Sequence, residues 1–251
     1  MRQLQRLRVV TQQIQDQSIT LTVEQQHYLS RVLRLRSGDR FLALLDSGVA
    51  WLAKLQDDGA ELLEPQSVKS ELPLNVTLVI SLPKGSGFDD VVRQVTELGV
   101  SRIVPVMSDR TLLKPSANRH DRWQRIAGEA TEQSERSQSP TVEEPIDFSR
   151  YVNELGPPKS NDLRYFCWGR GDSVHLLAQL QIDLRTDDRS DIDMNIGITI
   201  AIGPEGGWTD EEVTRSVKAG FVSVSLGKRI LRAITAPAAA MAIVGAVVEA
   251  D

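Results

Sequence analysis

The spacing of apolar residues changes once along this chain, between residues 65 and 73. Before that stretch the apolar runs are short. Residues 40–45 (Arg-Phe-Leu-Ala-Leu-Leu) lead into Asp46-Ser47-Gly48, and residues 49–55 follow, which predicts a hairpin closed by a glycine-containing turn. A second turn, Asp57-Asp58-Gly59, precedes another short run at 60–64. Residues 22–35 predict a helix, with Val23, Tyr28, Val32 and Leu35 near one face. Short strands with one helix predict a small β-barrel. Residues 65–73 (Pro-Gln-Ser-Val-Lys-Ser-Glu-Leu-Pro) read as a linker.

Beyond the linker, apolar runs at 74–82, 101–107, 163–168, 196–202 and 222–226 predict strands. They alternate with helical patterns at 88–98, 119–138, 173–182, 209–219 and 235–250. That alternation predicts an α/β domain with a mostly parallel sheet. Two helices carry their own end signals. The first has Asp89 and Asp90 in its opening turn and Gly99 just past its end. The fourth opens with a Thr209-to-Glu212 capping box and stops at Gly220. Residues 139–162 and 183–195 are polar and read as loops. The last helix differs from the rest, because residues 236–248 carry no charge on any side. A helix apolar all round must be covered, by its own core or by a second copy of the chain, and its small residues favour close packing in a homodimer.

Composition narrows the class. The chain has 251 residues, 41% apolar and 25% charged, as an ordinary globular protein does. A single cysteine, Cys167, excludes a disulfide framework, and His27, His120 and His175 show no metal-ligand spacing. The polar start predicts no signal peptide, and the longest apolar stretch, 13 residues, is too short to span a bilayer, so a cytoplasmic protein is expected. The net charge is −5, yet residues 2–40 hold seven arginines against three carboxylates, a local balance of +4. A basic patch on an acidic protein suits selective contact with a phosphate backbone.

Two glycine loops carry the candidate chemistry. Gly203-Pro204-Glu205-Gly206-Gly207-Trp208 follows one apolar strand and Gly227-Lys228-Arg229-Ile230-Leu231-Arg232 follows another. Ligands of a parallel sheet bind where loops leave the carboxyl ends of its strands, and glycines let backbone groups approach them closely. Neither loop has the Gly-Lys-Ser/Thr ending of a Walker loop, and Leu82-Pro83-Lys84-Gly85-Ser86-Gly87 lacks it too. No Gly-x-Gly-x-x-Gly follows the first strand, which argues against a Rossmann site. The expectation is a nucleotide-like cofactor held mainly by backbone in the C-terminal third. Cys167, inside an apolar strand, reads as inert core.

An ordered set of motifs resembles the ribosomal small-subunit methyltransferase E family of the SPOUT superfamily over nearly the whole chain. The pieces are Arg6-Leu7-Arg8-Val9, His27 through Arg34, Gly38-Asp39, Lys84-Gly85, Thr96 through Val100, Arg110, Arg122-Trp123, Glu132 through Arg136, Ile202 through Gly207, and Leu226 through Arg232. The resemblance implies an N-terminal PUA-like β-barrel over residues 1–70 and, over 74–251, an α/β SPOUT methyltransferase domain with a trefoil knot. It implies a homodimer, S-adenosylmethionine as methyl donor, uracil N3 of 16S rRNA as acceptor, and neither a membrane nor a metal. Trp168, Gly203, Pro204, Glu205, Gly206, Gly207, Leu226, Gly227, Ile230 and Leu231 would then surround the cofactor. Arg6, Arg8, Arg31, Arg34, Lys84, Arg110 and Arg136 would face RNA.

Uracil N3 carries a proton and is a poor nucleophile until that proton leaves. Arg229 and Arg232 suit stabilisation of the resulting anion, because a guanidinium stays charged and bridges two oxygens. Glu205 reads either as an orienting group or as a carboxylate at a helix N-terminus. Glu97 reads as a buried partner of an arginine, and Trp123 and Trp208 as buried at helix–sheet junctions. The chain also departs from the family pattern. Ala233 and Ile234 stand where Thr and Glu are usual, Gln94 where Lys is common, and Gln138 where Arg is common. Those departures keep two alternatives open: a catalytically weakened RNA-binding or assembly protein on the same scaffold, or a SPOUT methyltransferase of another RNA.

Overall fold

The structure is a computed structural model that describes residues 4–45, 49–66, 70–111, 118–169, 173–184 and 196–249. The chain forms two units. The first comprises Met1–Glu71 together with Thr131–Ser139, the second Leu72–Ala130 together with Pro140–Asp251.

The first unit is a six-stranded sheet in the order β1-β4-β5-β6-β3-β2, built from β1 (Gln5–Val9), β2 (Ile14–Gln15), β3 (Ser18–Ile19), β4 (Arg40–Leu45), β5 (Ala50–Gln56) and β6 (Gly59–Gln66). β1 runs parallel to β4, and every other pair is antiparallel. Alternate residues turn inward: Leu7 and Val9, Phe41 and Ala43, Ala53 and Leu55, Ala60 and Leu62 form one core. The free edge of β1 is satisfied by side chains. Gln25 Nε2 donates to the Arg8 carbonyl at 2.8 Å, Gln13 Oε1 accepts from Val10 N–H at 3.0 Å, and the two amides join at 2.7 Å. The expected helix at 22–35 is interrupted. A capping box on Thr22 starts α1 (Val23–His27), a π-helical turn follows at Tyr28–Val32, and Arg34 adopts a left-handed φ of 56°. The expected turn at 46–48 lies outside the described residues.

The second unit is an eight-stranded, all-parallel sheet. Its elements are β7 (Asn75–Ser81), α2 (Gly87–Glu97), β8 (Arg102–Met107), α3 (Asn118–Gln133), β9 (Thr141–Val142), β10 (Ile146–Asp147), α4 (Phe148–Glu154), β11 (Asp162–Cys167), β12 (Val174–His175), α5 (Leu176–Asp183), β13 (Gly197–Ile202), α6 (Asp210–Lys218), β14 (Val222–Ser225) and α7 (Ala236–Val248). The last three residues of α3 group with the first unit. The strand order is β10-β8-β7-β13-β11-β14-β12, with β9 on β8. Both faces are covered, which is why the strands read as unbroken apolar runs. Leu78, Ile80, Ile103, Ile200 and Val224 share a core with residues of α2, α5 and α7. Val79, Val104, Phe166 and Ala201 share another with residues of α4 and Trp208.

Several expectations need correction. The stretch 139–162 is not a loop, since it holds β9, β10 and α4. Helix α3 stops at Gln133, where Glu135 takes a left-handed φ of 60° and Arg136 N–H reaches back to the Thr131 carbonyl at 3.1 Å. The helix expected at 173–182 begins only at Leu176, because Val174 and His175 pair with β14. Most of the other polar stretch, 185–195, lies outside the described residues. Helix α7 is covered on one side only: Ala236, Ala240, Met241 and Val244 are buried, whereas Ala242 and Ala246 are exposed. Among the described residues no helix is long and apolar enough to cross a membrane, and no group of three metal-ligating side chains occurs.

Candidate active site

Strand register assembles the site. Ile80 of β7 pairs with Ile202 of β13, Ile202 with Cys167 of β11, and Cys167 with Val224 of β14. Four neighbouring parallel strands therefore end level, and the loops 82–87, 203–208, 168–169 and 226–231 leave the same carboxyl edge. The two glycine loops are separated by the short loop after β11. Trp168 N–H donates to the Val224 carbonyl at 2.9 Å, continuing the ladder one residue past the strand. A Cβ on Gly169 would stand 3.0 Å from Ile230 Cδ1.

Each shoulder of the 203–208 loop is anchored. Glu205 Oε1 accepts from the main-chain N–H of Lys84 at 3.1 Å, which ties this loop to the one after β7. Trp208 is buried between Phe148 (centroids 4.4 Å apart) and Phe166 (4.9 Å), and its Nε1 donates to the Cys167 carbonyl at 3.3 Å. That ring explains Gly203, where a Cβ would stand 2.9 Å from the indole. Gly207 has φ +71° with nothing within 4 Å of its Cβ direction, so main chain there faces open space. After Trp208, the Thr209 hydroxyl caps α6 in a reciprocal box with Glu212. Glu212 is 2% exposed and also accepts Asp109 N–H at 3.0 Å.

The second loop presents its charges outward. Arg229 and Arg232 are exposed and Ile230 is 78% exposed, while Leu226 and Leu231 pack against the core. The Arg232 carbonyl accepts from Thr235 and Ala236 at 2.9 and 3.0 Å, so the main chain under this arginine is fixed by the first turn of α7. Thr235 makes no side-chain cap bond. Ala233 is buried, and Ile234 packs on the core close enough to Gly87 that a Cβ there would meet it at 2.8 Å. Cys167, expected as inert core, is half-buried, and burial pushes its thiol up to about 12.

The arginines expected to face RNA separate into groups. Arg31, Arg34 and the Lys84 side chain are exposed. Arg8 is half-buried beside an open cleft of about 330 Å³ that Gln13, Gln25 and Glu132 also line. Arg6 pairs with Glu135, its Nη2 2.9 Å from Oε2 and its Nη1 on the Glu135 carbonyl. Arg136 is 3% exposed and bonded to Glu71 through Nε at 3.0 Å and Nη2 at 2.6 Å, so it offers almost no surface to a partner. Arg110 donates to the carbonyls of Gly206 and Trp208. Glu97, expected to be a buried partner, is exposed. Trp123 is buried as expected, edge-on to Phe88 at 4.6 Å, with Nε1 on Asp89. His175 was not foreseen. Its Nδ1 accepts Leu177 N–H at 3.2 Å, and its Nε2 lies 4.0 Å from the Cβ direction of Gly227. It falls inside the helix expected at 173–182, where no local signal marks it, since histidine is not a usual cap.

A parallel sheet whose level strand ends carry glycine loops, in a chain whose other unit is a six-stranded, mostly antiparallel sheet, defines a two-unit protein with an α/β ligand-binding fold. The RNA methyltransferase domain family matches residues 70–245, and the RNA methyltransferase PUA domain family matches residues 21–64. A ribosomal RNA small subunit methyltransferase E from Synechocystis sp. is 47% identical over 97% of this chain and 78% of its own length. One from Bacillus subtilis is 27% identical over 92% of this chain and 91% of its own. A crystal structure of the Neisseria gonorrhoeae ribosomal RNA small subunit methyltransferase E bound to S-adenosyl methionine superposes with a TM-score of 0.75 and 30% identity, covering 96% of this chain and 97% of that one. The chain belongs to the ribosomal RNA small subunit methyltransferase E family.

Proposed function

We propose that this protein transfers a methyl group from S-adenosylmethionine to N3 of a uracil in 16S rRNA, as a cytoplasmic homodimer. The observation that carries this reading is the level ending of β7, β13, β11 and β14, which collects both glycine loops on one edge. The residues there fit the cofactor. Gly207 leaves main chain uncovered, Gly227 takes a left-handed φ of +112°, and Trp168, Leu226 and Leu231 supply half-buried apolar flanks. Gly203, Pro204, Glu205, Gly206 and Ile230 complete the group that would hold it. When bound, S-adenosylmethionine supplies a methyl group already activated on a sulfonium.

The protein's own task is the acceptor. Arg229 and Arg232 stabilise the negative charge that develops on uracil as the N3 proton leaves, and the anchored main chain of Arg232 fixes where that charge is met. Glu205 accepts Lys84 N–H, so it also holds the loop after β13 to the loop after β7. The PUA-like domain, residues 1–70, grips RNA through Arg8, Arg31 and Arg34, and in residues 74–251 Lys84 faces RNA. Arg6 and Arg136 hold their own unit together. The final helix completes a trefoil knot and supplies the dimer contact.

The test is incubation of purified protein with small ribosomal subunits and isotope-labelled S-adenosylmethionine, followed by nucleoside mass spectrometry. One 3-methyluridine per 16S rRNA is expected. Label in another nucleoside, or in another RNA only, defeats the assignment. Buried Ala233 and core-packed Ile234, in place of a hydroxyl and a carboxylate, favour a second reading as a weakened enzyme or assembly protein. Calorimetry showing no S-adenosylmethionine binding would select it.

A further inference from the structure

We infer that Arg110 is a positioning residue that locks the Gly203–Trp208 loop in its ligand-ready shape, and is not an RNA contact. This rests on the cofactor reading above. Arg110 follows β8, across the sheet from the loop in sequence but next to it in space. Its Nη1 donates to the Gly206 carbonyl at 2.7 Å and to the Trp208 carbonyl at 3.4 Å. Its stem fits the same loop, since a Cβ on Gly206 would stand 3.3 Å from Arg110 Cδ and 3.4 Å from its Cβ. Glycine at 206 is therefore what lets the arginine lie flat against the main chain.

The base that carries Arg110 is itself fixed. Ser108 N–H donates to Thr111 Oγ1 at 2.9 Å, and Thr111 N–H returns to the Ser108 carbonyl at 2.9 Å. Asp109 N–H donates to Glu212 at 3.0 Å, and the Thr209 hydroxyl donates to Asp109 Oδ2 at 3.1 Å. A rigid turn thus presents one guanidinium to the two carbonyls that flank Gly207. A charged donor makes a stronger bond to a carbonyl than a neutral one, and it removes two peptide orientations from the loop's options. The Glu205 bond to Lys84 N–H restrains the other shoulder. Loop order is then established before the cofactor arrives, which lowers the entropy lost on binding.

The test uses full-length wild type, Arg110→Ala and Arg110→Lys. Calorimetry measures S-adenosylmethionine affinity without RNA, filter binding measures affinity for small subunits without cofactor, and hydrogen–deuterium exchange follows peptides covering 203–209 in the unliganded protein. Losing one charge-assisted bond is expected to weaken S-adenosylmethionine about tenfold in the alanine variant. RNA affinity should stay within about twofold, and loop exchange should quicken. The lysine variant should recover part of the loss, since an ammonium reaches one carbonyl but lacks the planar fork. Unchanged cofactor affinity with weakened RNA binding would return Arg110 to the RNA surface and overturn the proposal. Unchanged loop exchange overturns it as well. That arm decides the matter even if wild type binds no S-adenosylmethionine, an outcome that would instead defeat the cofactor reading.

Discussion

At the scale of single residues, Glu71 is a heavily bonded carboxylate. Its Oε2 accepts from Arg136 Nε and Nη2, and its Oε1 accepts from Ser137 N–H at 2.8 Å, the Ser137 hydroxyl at 3.1 Å and Gln138 N–H at 3.0 Å. Burial pushes this carboxyl up, but the hydrogen bond and charge of Arg136, with the two backbone donors, outweigh that and hold it below the usual range. A depressed carboxyl adds stability above its unfolded value of about 4.3 and loses it as pH falls through the folded value. Replacing Glu71 by Gln removes the charge that pairs with the buried Arg136 guanidinium, which should cost about 3 kcal/mol at pH 7. Urea unfolding at pH 7 and pH 3 should show the gap between wild type and variant narrowing at the lower pH. A gap that is constant across that range contradicts a role for the charge. The same pair gives Arg136 a structural role that its sequence context does not announce. An arginine inside a family motif looks like a contact, and only coordinates reveal that a carboxylate 65 residues earlier has claimed it.

At the scale of elements, helix α6 depends on one side chain more than on its propensity. Glu212 Oε2 accepts Thr209 N–H at 2.8 Å while its Oε1 takes Asp109 N–H, so one carboxylate caps a helix and ties it to the turn after β8. Glu212→Ala should cost about 2 kcal/mol, read as a lowered urea midpoint, because it removes a cap and two part-buried main-chain hydrogen bonds. Loss within a few tenths of a kcal/mol would mean water replaces both bonds. The capping half of this was legible from Thr209 and Glu212 alone. The central strands were legible too, since burial on both faces writes an apolar run such as Ile-Val-Pro-Val-Met at 103–107. What hid were the two-residue strands β9, β10 and β12, which are too short to show a period. Also hidden was the break at Tyr28–Val32, where apolar spacing looks helical but the hydrogen bonds slip to the π register and Arg34 ends the turn left-handed. At the candidate site, glycines and flanking strands announced the loops. The locks on them, Arg110, Glu205 and Trp208, depend on long-range packing that no local pattern encodes.

At the scale of the whole molecule, α7 poses the question that a single chain leaves open. Its Ala236, Ala240, Met241 and Val244 side is buried against the sheet, but Ala242 and Ala246 on the opposite side are exposed, and Ala238, Ala239 and Ile243 are half-covered. An uncharged helix gains nothing from showing such a face to water. At about 1.5 Å per residue its 13 residues span roughly 20 Å, too little alone for the roughly 800 Å² per partner of a stable interface. Its packing partners must contribute, and Leu177 and Ile182 on α5 and Leu98 after α2 are their exposed apolar side chains. In the proposed homodimer, Ala242→Arg buries a charge at the contact, whereas in a monomer it adds a good helix former on a wet surface and should change stability by less than about 0.5 kcal/mol. Light scattering at micromolar concentration should give wild type about twice the 27.8 kDa of one chain and the variant about that single mass, with unchanged circular dichroism. A wild type that elutes as one chain removes the dimer. A variant that still pairs moves the contact to another face and leaves the apolar character of α7 to be explained by its folding path.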